Sequence, residues 1–129
     1  MIFGNGGSAA LSQEFAAELM GKFEKIRDPL PAIALTTDSS FITAWSNDVG
    51  FDSVFSRQII ALCKKGDVVI GVSTTGHSSN VRMGLFTAKE LGGLVIDFPR
   101  EGKNTADIQE KQHKLMHRIC REVELKMFP

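Results

Sequence analysis

Two short stretches hold most of the residues able to bind a small anionic ligand. Gly4-Asn5-Gly6-Gly7-Ser8 follows the strand-like Ile2-Phe3 and opens a helical pattern. Ser73-Thr74-Thr75-Gly76-His77-Ser78 likewise follows an apolar strand pattern and opens another helix. Glycines in the first stretch let the backbone approach a ligand closely, and free N–H groups at a helix start face an anion. The hydroxyls of the second can donate to phosphate oxygens. Either loop alone reads as ordinary helix capping; two of them at strand ends in one short chain point to a phosphate-bearing ligand. Acid–base types lie elsewhere. Glu14 and Glu18 fall on the first helix, and His113 and His117, four residues apart, share one face of the last, one turn after Gln109. By spacing alone, a glutamate on a surface helix is a solvated charge and the histidine pair an exposed face.

The elements that position these residues alternate strand with helix, the pattern of a parallel sheet covered by helices. The first strand is short, Ile2-Phe3, and a helix over 8–25 carries the stripe Leu11, Phe15, Leu19 and Phe23. After Pro29 and Pro31, Ala32-Ile33-Ala34-Leu35 reads as a buried strand. A short helix over 40–45 follows, capped by Asp38 or Ser39. A helix over 52–63 buries Phe55, Ile59 and Leu62 and stops at Gly66. Asp67–Val72 is a central strand, apolar on both faces. A helix over 79–91 leads to a last strand, 94–98, and to a long helix over 105–127 with the stripe Ile108, Leu115, Ile119 and Val123. Strands of this kind bind ligands beyond their carboxyl ends, where both loops fall.

Composition narrows the class. The 129 residues fit one domain, 1–129, and are 43% apolar, with Lys+Arg and Asp+Glu equal at 15 each. Such balance argues against nucleic-acid and membrane-surface partners. No apolar run approaches bilayer length and Met1-Ile2-Phe3 is no signal peptide, so the expected location is the cytoplasm. Cys63 and Cys120 read as small hydrophobes in a reducing compartment, and Trp45 as packing. Gly4, Gly6 and Ala9 satisfy a loose dinucleotide fingerprint, but the second strand ends Leu35-Thr36-Thr37 without the required acid, so no nucleotide cofactor is expected.

Taken together, these stretches resemble the sugar isomerase (SIS) domain family, specifically its phosphoheptose isomerases. The resemblance is carried by Gly4–Ser8, Phe15-Ala16-Ala17-Glu18-Leu19, Leu30–Leu35, Asn47-Asp48-Val49-Gly50-Phe51, Phe55-Ser56-Arg57-Gln58, the second loop and Ile108-Gln109-Glu110. It implies a three-layer α/β sandwich around an open, mostly parallel sheet of flavodoxin-like type. The activity implied is isomerisation of sedoheptulose 7-phosphate to glycero-manno-heptose 7-phosphate, a precursor of lipopolysaccharide heptose. The resemblance places substrate on Asn5, Gly6, Gly7, Ser8, Asn47, Asp48, Ser73, Thr74, Thr75, Ser78 and Gln109, and makes Glu18 the base and His117 its acid/base partner. Ketose–aldose exchange moves a proton between neighbouring carbons through an enediol, which suits a carboxylate and an imidazole.

The sequence also departs from the family. Some members hold zinc through a histidine four residues before the glutamate, where this chain has Glu14; Glu18, Gln109 and His117 remain as the implied metal ligands, and Glu14 could supply an oxygen in place of the histidine. Asp107 and Lys22 stand where arginines are usual. About one strand–helix unit is missing between Gly93 and Leu94, and so is the N-terminal helical segment around which family members form homotetramers. Three readings follow: an isomerase, an isomerase disabled by its missing unit, and a non-catalytic sugar-phosphate module acting as a regulator of replication initiation or transcription. The joint presence of Glu18 and His117 favours the enzyme.

Overall fold

The computed structural model describes residues 1–129. Three parallel strands, β1 (Ile2–Gly4), β2 (Val68–Val72) and β3 (Leu94–Asp97), pair in the order β1-β2-β3. The helices are α1 (Gly7–Met20), α2 (Ser39–Asp48), α3 (Val54–Leu62), α4 (Ser79–Glu90) and α5 (Thr105–Met127). Strand alternation divides the core in two. Ile2, Ile70 and Val72 pack with Leu11, Phe15 and Ala16 of α1 and Met116 and Cys120 of α5. Phe3 and Val69 face the other way, into Val54, Phe55 and Ile59 of α3 and Val81 and Ala88 of α4. The expected three layers are therefore present, with α1 and α5 on one face of an open parallel sheet and α3 and α4 on the other.

Several expected boundaries move, each for a local reason. The strand over 32–35 contracts to a single parallel bridge between Ala34 and Ile2. Two hydrogen bonds hold it: Ile2 N–H donates to Ile33 O and Leu35 N–H to Ile2 O, both at 2.9 Å. The helix over 52–63 is a 3₁₀ turn, Phe51–Ser53, running into α3. On α5 the buried line is Gln112, Met116, Cys120 and Glu124, one position round from the expected stripe, whose members are only half-buried.

The first helix ends at Met20 instead of continuing to Lys25. The N–H groups of Phe23, Glu24 and Lys25, which a continuing helix would direct at its own carbonyls, donate instead to the buried carboxylate of Glu124 at 2.8–2.9 Å. A side chain from the far end of the sequence thus terminates α1. No periodicity near residue 20 announces it.

Candidate functional site

Both hydroxyl- and glycine-rich loops lie at the carboxyl ends of adjacent strands, β1 and β2, and one contact locks them together. Asn5 Nδ2 donates to Asn80 Oδ1 at 2.8 Å and Asn80 Nδ2 returns a bond to Asn5 Oδ1 at 2.9 Å. Asn80, buried in the first turn of α4, was not singled out by the sequence. Its amide occupies that of Asn5, so Asn5 shapes the first loop through its side chain. Gly6 turns the chain into α1 with φ +55°, a conformation that favours glycine.

The second loop is folded by its own hydroxyls. Ser73 Oγ accepts from Gly76 N–H at 3.0 Å and Thr75 Oγ1 from His77 N–H at 3.1 Å. Ser73 is buried while Thr74 and Ser78 are half-buried and Thr75 is exposed, so the loop presents hydroxyls around the start of α4. Gln112 of α5 fastens this loop from the side, its Nε2 donating to Ser73 O and Pro99 O at 3.0 Å each. Both partners are carbonyls and can only accept, which fixes the amide orientation.

A cleft of about 230 Å³ opens between α1 and α5 beside the first loop, lined among others by Gly7, Ser8, Glu14, Gln109 and His113. Gln109 lies over Gly7 so closely that a Cβ there would fall 2.5 Å from Gln109 Nε2. A larger residue here would have to push the Gln109 amide aside. A larger apolar groove of about 570 Å³ lies elsewhere, against Met1, Leu19, Met20, Ile33 and Val68. It includes the amino end of β2 and carries little polar chemistry, whereas ligands of such sheets bind at the opposite end.

At the mouth of the cleft, Glu14 Oε1 lies 3.1 Å from His113 Nε2 and 3.4 Å from His117 Nε2. The two imidazoles meet edge to face at 4.6 Å, and Phe23 stacks on His117 at 5.3 Å. The donor atoms of Glu14, His113 and His117 all lie within 4.8 Å of one another. Two imidazole nitrogens and a carboxylate oxygen suit a divalent transition metal, so the arrangement fits a cation. Of the expected donors, His117 and Glu14 belong to this group and His113 joins it, whereas Glu18 is not among its carboxylates; Gln109 lines the same cleft as Glu14 and His113. The i, i+4 histidine spacing was the available signal for His113; its partner on α1 is a tertiary fact.

Glu18 lies one turn beyond Glu14, half-buried, and does not itself line the cleft. It sits against α5 near Cys120, whose thiol is pushed up to about 12, mainly by burial and then by the negative charge of Glu18. Asn47 and Asp48 bond to each other at the exposed end of α2 and also lie outside the cleft. The expected residues therefore divide. Asn5, Gly6, Gly7, Ser8 and the second loop lie at the carboxyl ends of β1 and β2, with Gln109 over Gly7; His117 and Glu18 lie further along α5 and α1, outside the cleft lining, and Asn47 and Asp48 stand apart. No helix is long and apolar enough to cross a membrane.

Comparison with known proteins bears on the family and the fold. The SIS domain family model matches residues 1–98. A phosphoheptose isomerase of Aquifex aeolicus is 53% identical over 88% of this chain and 58% of its own length. One from Geobacter sulfurreducens is 44% identical over all of this chain and 77% of its own. That alignment runs over 145 positions against 129 residues, so the relative carries residues within the aligned span that this chain lacks. Among solved structures, a phosphoheptose isomerase from Neisseria gonorrhoeae superposes with TM-score 0.85 at 40% identity, over 95% of this chain and 75% of that one. Another, from Francisella tularensis, gives 0.91 at 31% identity, over 96% and 75%.

Proposed function

The chain belongs to the SIS domain family and, within it, to the phosphoheptose isomerases, and from that premise we propose that it interconverts sedoheptulose 7-phosphate and glycero-manno-heptose 7-phosphate. The observation that carries the reading is the facing of α1 and α5 beside the two loops, with carboxylates on one helix and imidazoles on the other. The loops hold the phosphate: hydroxyls of Ser73, Thr74, Thr75 and Ser78 donate to its oxygens, and the N-termini of α1 and α4 favour its charge.

Glu18 is assigned as the base. It takes a proton from C1 of the ketose while His117 protonates the C2 oxygen, giving the enediol. His117 then accepts the proton of the C1 hydroxyl, and Glu18 returns its proton to C2, which completes the aldose with no net gain or loss of protons. Gln109, which lies over Gly7, is assigned a hydrogen bond to a sugar hydroxyl. A divalent cation such as zinc would be held by Glu14, His113 and His117 and would supply Lewis acidity toward sugar oxygens. One nitrogen cannot ligate and carry a proton at once, so the proton-transfer role of His117 Nε2 belongs to the metal-free protein.

The test is direct: NMR of the chain with sedoheptulose 7-phosphate should show the aldose forming. Ligand-induced thermal stabilisation without product would refute the isomerase and favour a binding module.

A further inference from the structure

The segment 21–28 between α1 and Pro29 has no regular structure, yet it is pinned more densely than its exposure suggests. Its anchor is the pair Arg27–Glu124, at 3.1 Å with both side chains only 2% exposed. Glu124 also accepts the three backbone N–H groups of Phe23, Glu24 and Lys25. The Arg27 guanidinium turns its other face to the end of α1. Nη2 donates to Glu18 O at 2.7 Å, and Nη1 to Leu19 O at 2.8 Å, Gly21 O at 3.2 Å and Asp28 O at 3.1 Å. The last carbonyls of a helix have no partners within it, and here one side chain takes two of them, those of Glu18 and Leu19.

The other consequence concerns His117. The ring of Phe23 stacks on its imidazole at 5.3 Å, with the planes inclined by 27°. Phe23 reaches that position because its own N–H is held by Glu124. Arg121 covers the outer side of Phe23 at 5.7 Å while its guanidinium grips Glu24. One buried pair therefore touches the backbone of one reacting residue and, through Phe23, the side chain of the other.

We propose that Arg27 and Glu124 are positioning residues for the reaction, a clamp that fixes Glu18 on α1 and His117 on α5 relative to each other. This rests on the isomerase reading for its kinetic consequence, but its structural content does not. A buried pair of this kind contributes little net stability when compared with apolar packing; what it supplies here is geometry. A displacement of about 1 Å at reacting groups can cost on the order of a hundredfold in rate. The phosphate loops, 4–8 and 73–78, make none of the clamp's hydrogen bonds, so affinity for the sugar phosphate is independent of it.

The experiment compares wild type, Glu124→Gln and Phe23→Leu, metal-free and at one pH. In Glu124→Gln kcat should fall about ten- to hundredfold with KM for sedoheptulose 7-phosphate nearly unchanged. The His117 ring protons, shielded by Phe23 in the wild type, should move in Glu124→Gln toward their positions in Phe23→Leu. A folded Glu124→Gln protein with wild-type kcat, or with His117 resonances at their wild-type positions, overturns the proposal. Should Glu124→Gln fail to fold, Phe23→Leu carries the test: a reduced kcat at unchanged KM supports the clamp and a wild-type kcat overturns it. If the wild type turns over no substrate, the isomerase reading fails, while the His117 resonances still decide whether the clamp orders that ring.

Discussion

Replacing Phe15 by alanine should loosen the whole site from below. Phe15 is fully buried in the cluster that joins α1 to β1, β2 and α5, with its ring 6.1 Å from that of Phe98. It lies between Glu14 and Glu18 in sequence and points into the core, whereas the two glutamates are only half-buried. Truncating a buried phenylalanine costs about 3–5 kcal/mol in lost transfer energy and cavity. A domain of this size is stable by about 5–15 kcal/mol, so this one change removes a third or more of a typical total. At roughly 3–5 °C per kcal/mol for a chain of this length, the melting temperature should drop by roughly 10–25 °C. Urea unfolding followed by far-UV circular dichroism and by Trp45 fluorescence measures the loss directly. Phe86, 65% exposed on α4, is the control, and Phe86→Ala should change stability by less than about 0.5 kcal/mol. A loss below about 1 kcal/mol in Phe15→Ala, or equality with Phe86→Ala, would refute the packing argument.

Other consequences follow from the loops, the cation group and the clamp. Ser73 and Thr75 both hold the turn of the second loop and are proposed to bind the phosphate, so replacing both by alanine should weaken sugar-phosphate binding by about 2–4 kcal/mol; calorimetry showing unchanged affinity would move the phosphate elsewhere. His113→Ala removes one of the three grouped donors and should weaken zinc binding at least about tenfold by calorimetry, whereas His77→Ala, in the second loop and outside the group, should leave it unchanged. Burial raises the Glu124 carboxyl pKa, but the N–H groups of Phe23, Glu24 and Lys25 and the Arg27 guanidinium outweigh it and hold the group at about 2. Its folded pKa is below the ordinary 4.5, so its contribution is complete above that value and is lost as pH falls toward about 2. The unfolding free energy of the wild type should decline through this window, and Glu124→Gln should flatten that limb.

Much of the architecture was legible because strand and helix periods are strong signals. Val68–Val72 and the α5 boundaries, 105–127, were readable from apolar runs and flanking polar turns. Each loop alone read as helix capping, and the two were legible together because both fall between a strand and a helix in one short chain. What escaped were effects that act across the chain. Nothing local to Met20 shows that Glu124, more than a hundred residues later, will intercept the next three N–H groups and stop the helix. The strand over 32–35 shrinks because only Ala34 registers with Ile2. Gln112 and Glu124 occupy the buried line of α5, where a hydropathy pattern favours Leu115 and Ile119, because Gln112 Nε2 and the Glu124 carboxylate find specific partners inside. At the site, His117 and Gln109 came from family resemblance, whereas His113 as partner of Glu14 and Asn80 as partner of Asn5 needed the fold.

The central claim is that a carboxylate on α1 removes the C1 proton of a ketose phosphate. In deuterium oxide, NMR should show the wild type exchanging a C1 proton of sedoheptulose 7-phosphate and forming aldose, while Glu18→Gln binds the sugar but does neither. Exchange at the wild-type rate in Glu18→Gln would contradict the assignment, and its loss in Glu14→Gln instead would place the base one turn earlier on the same helix.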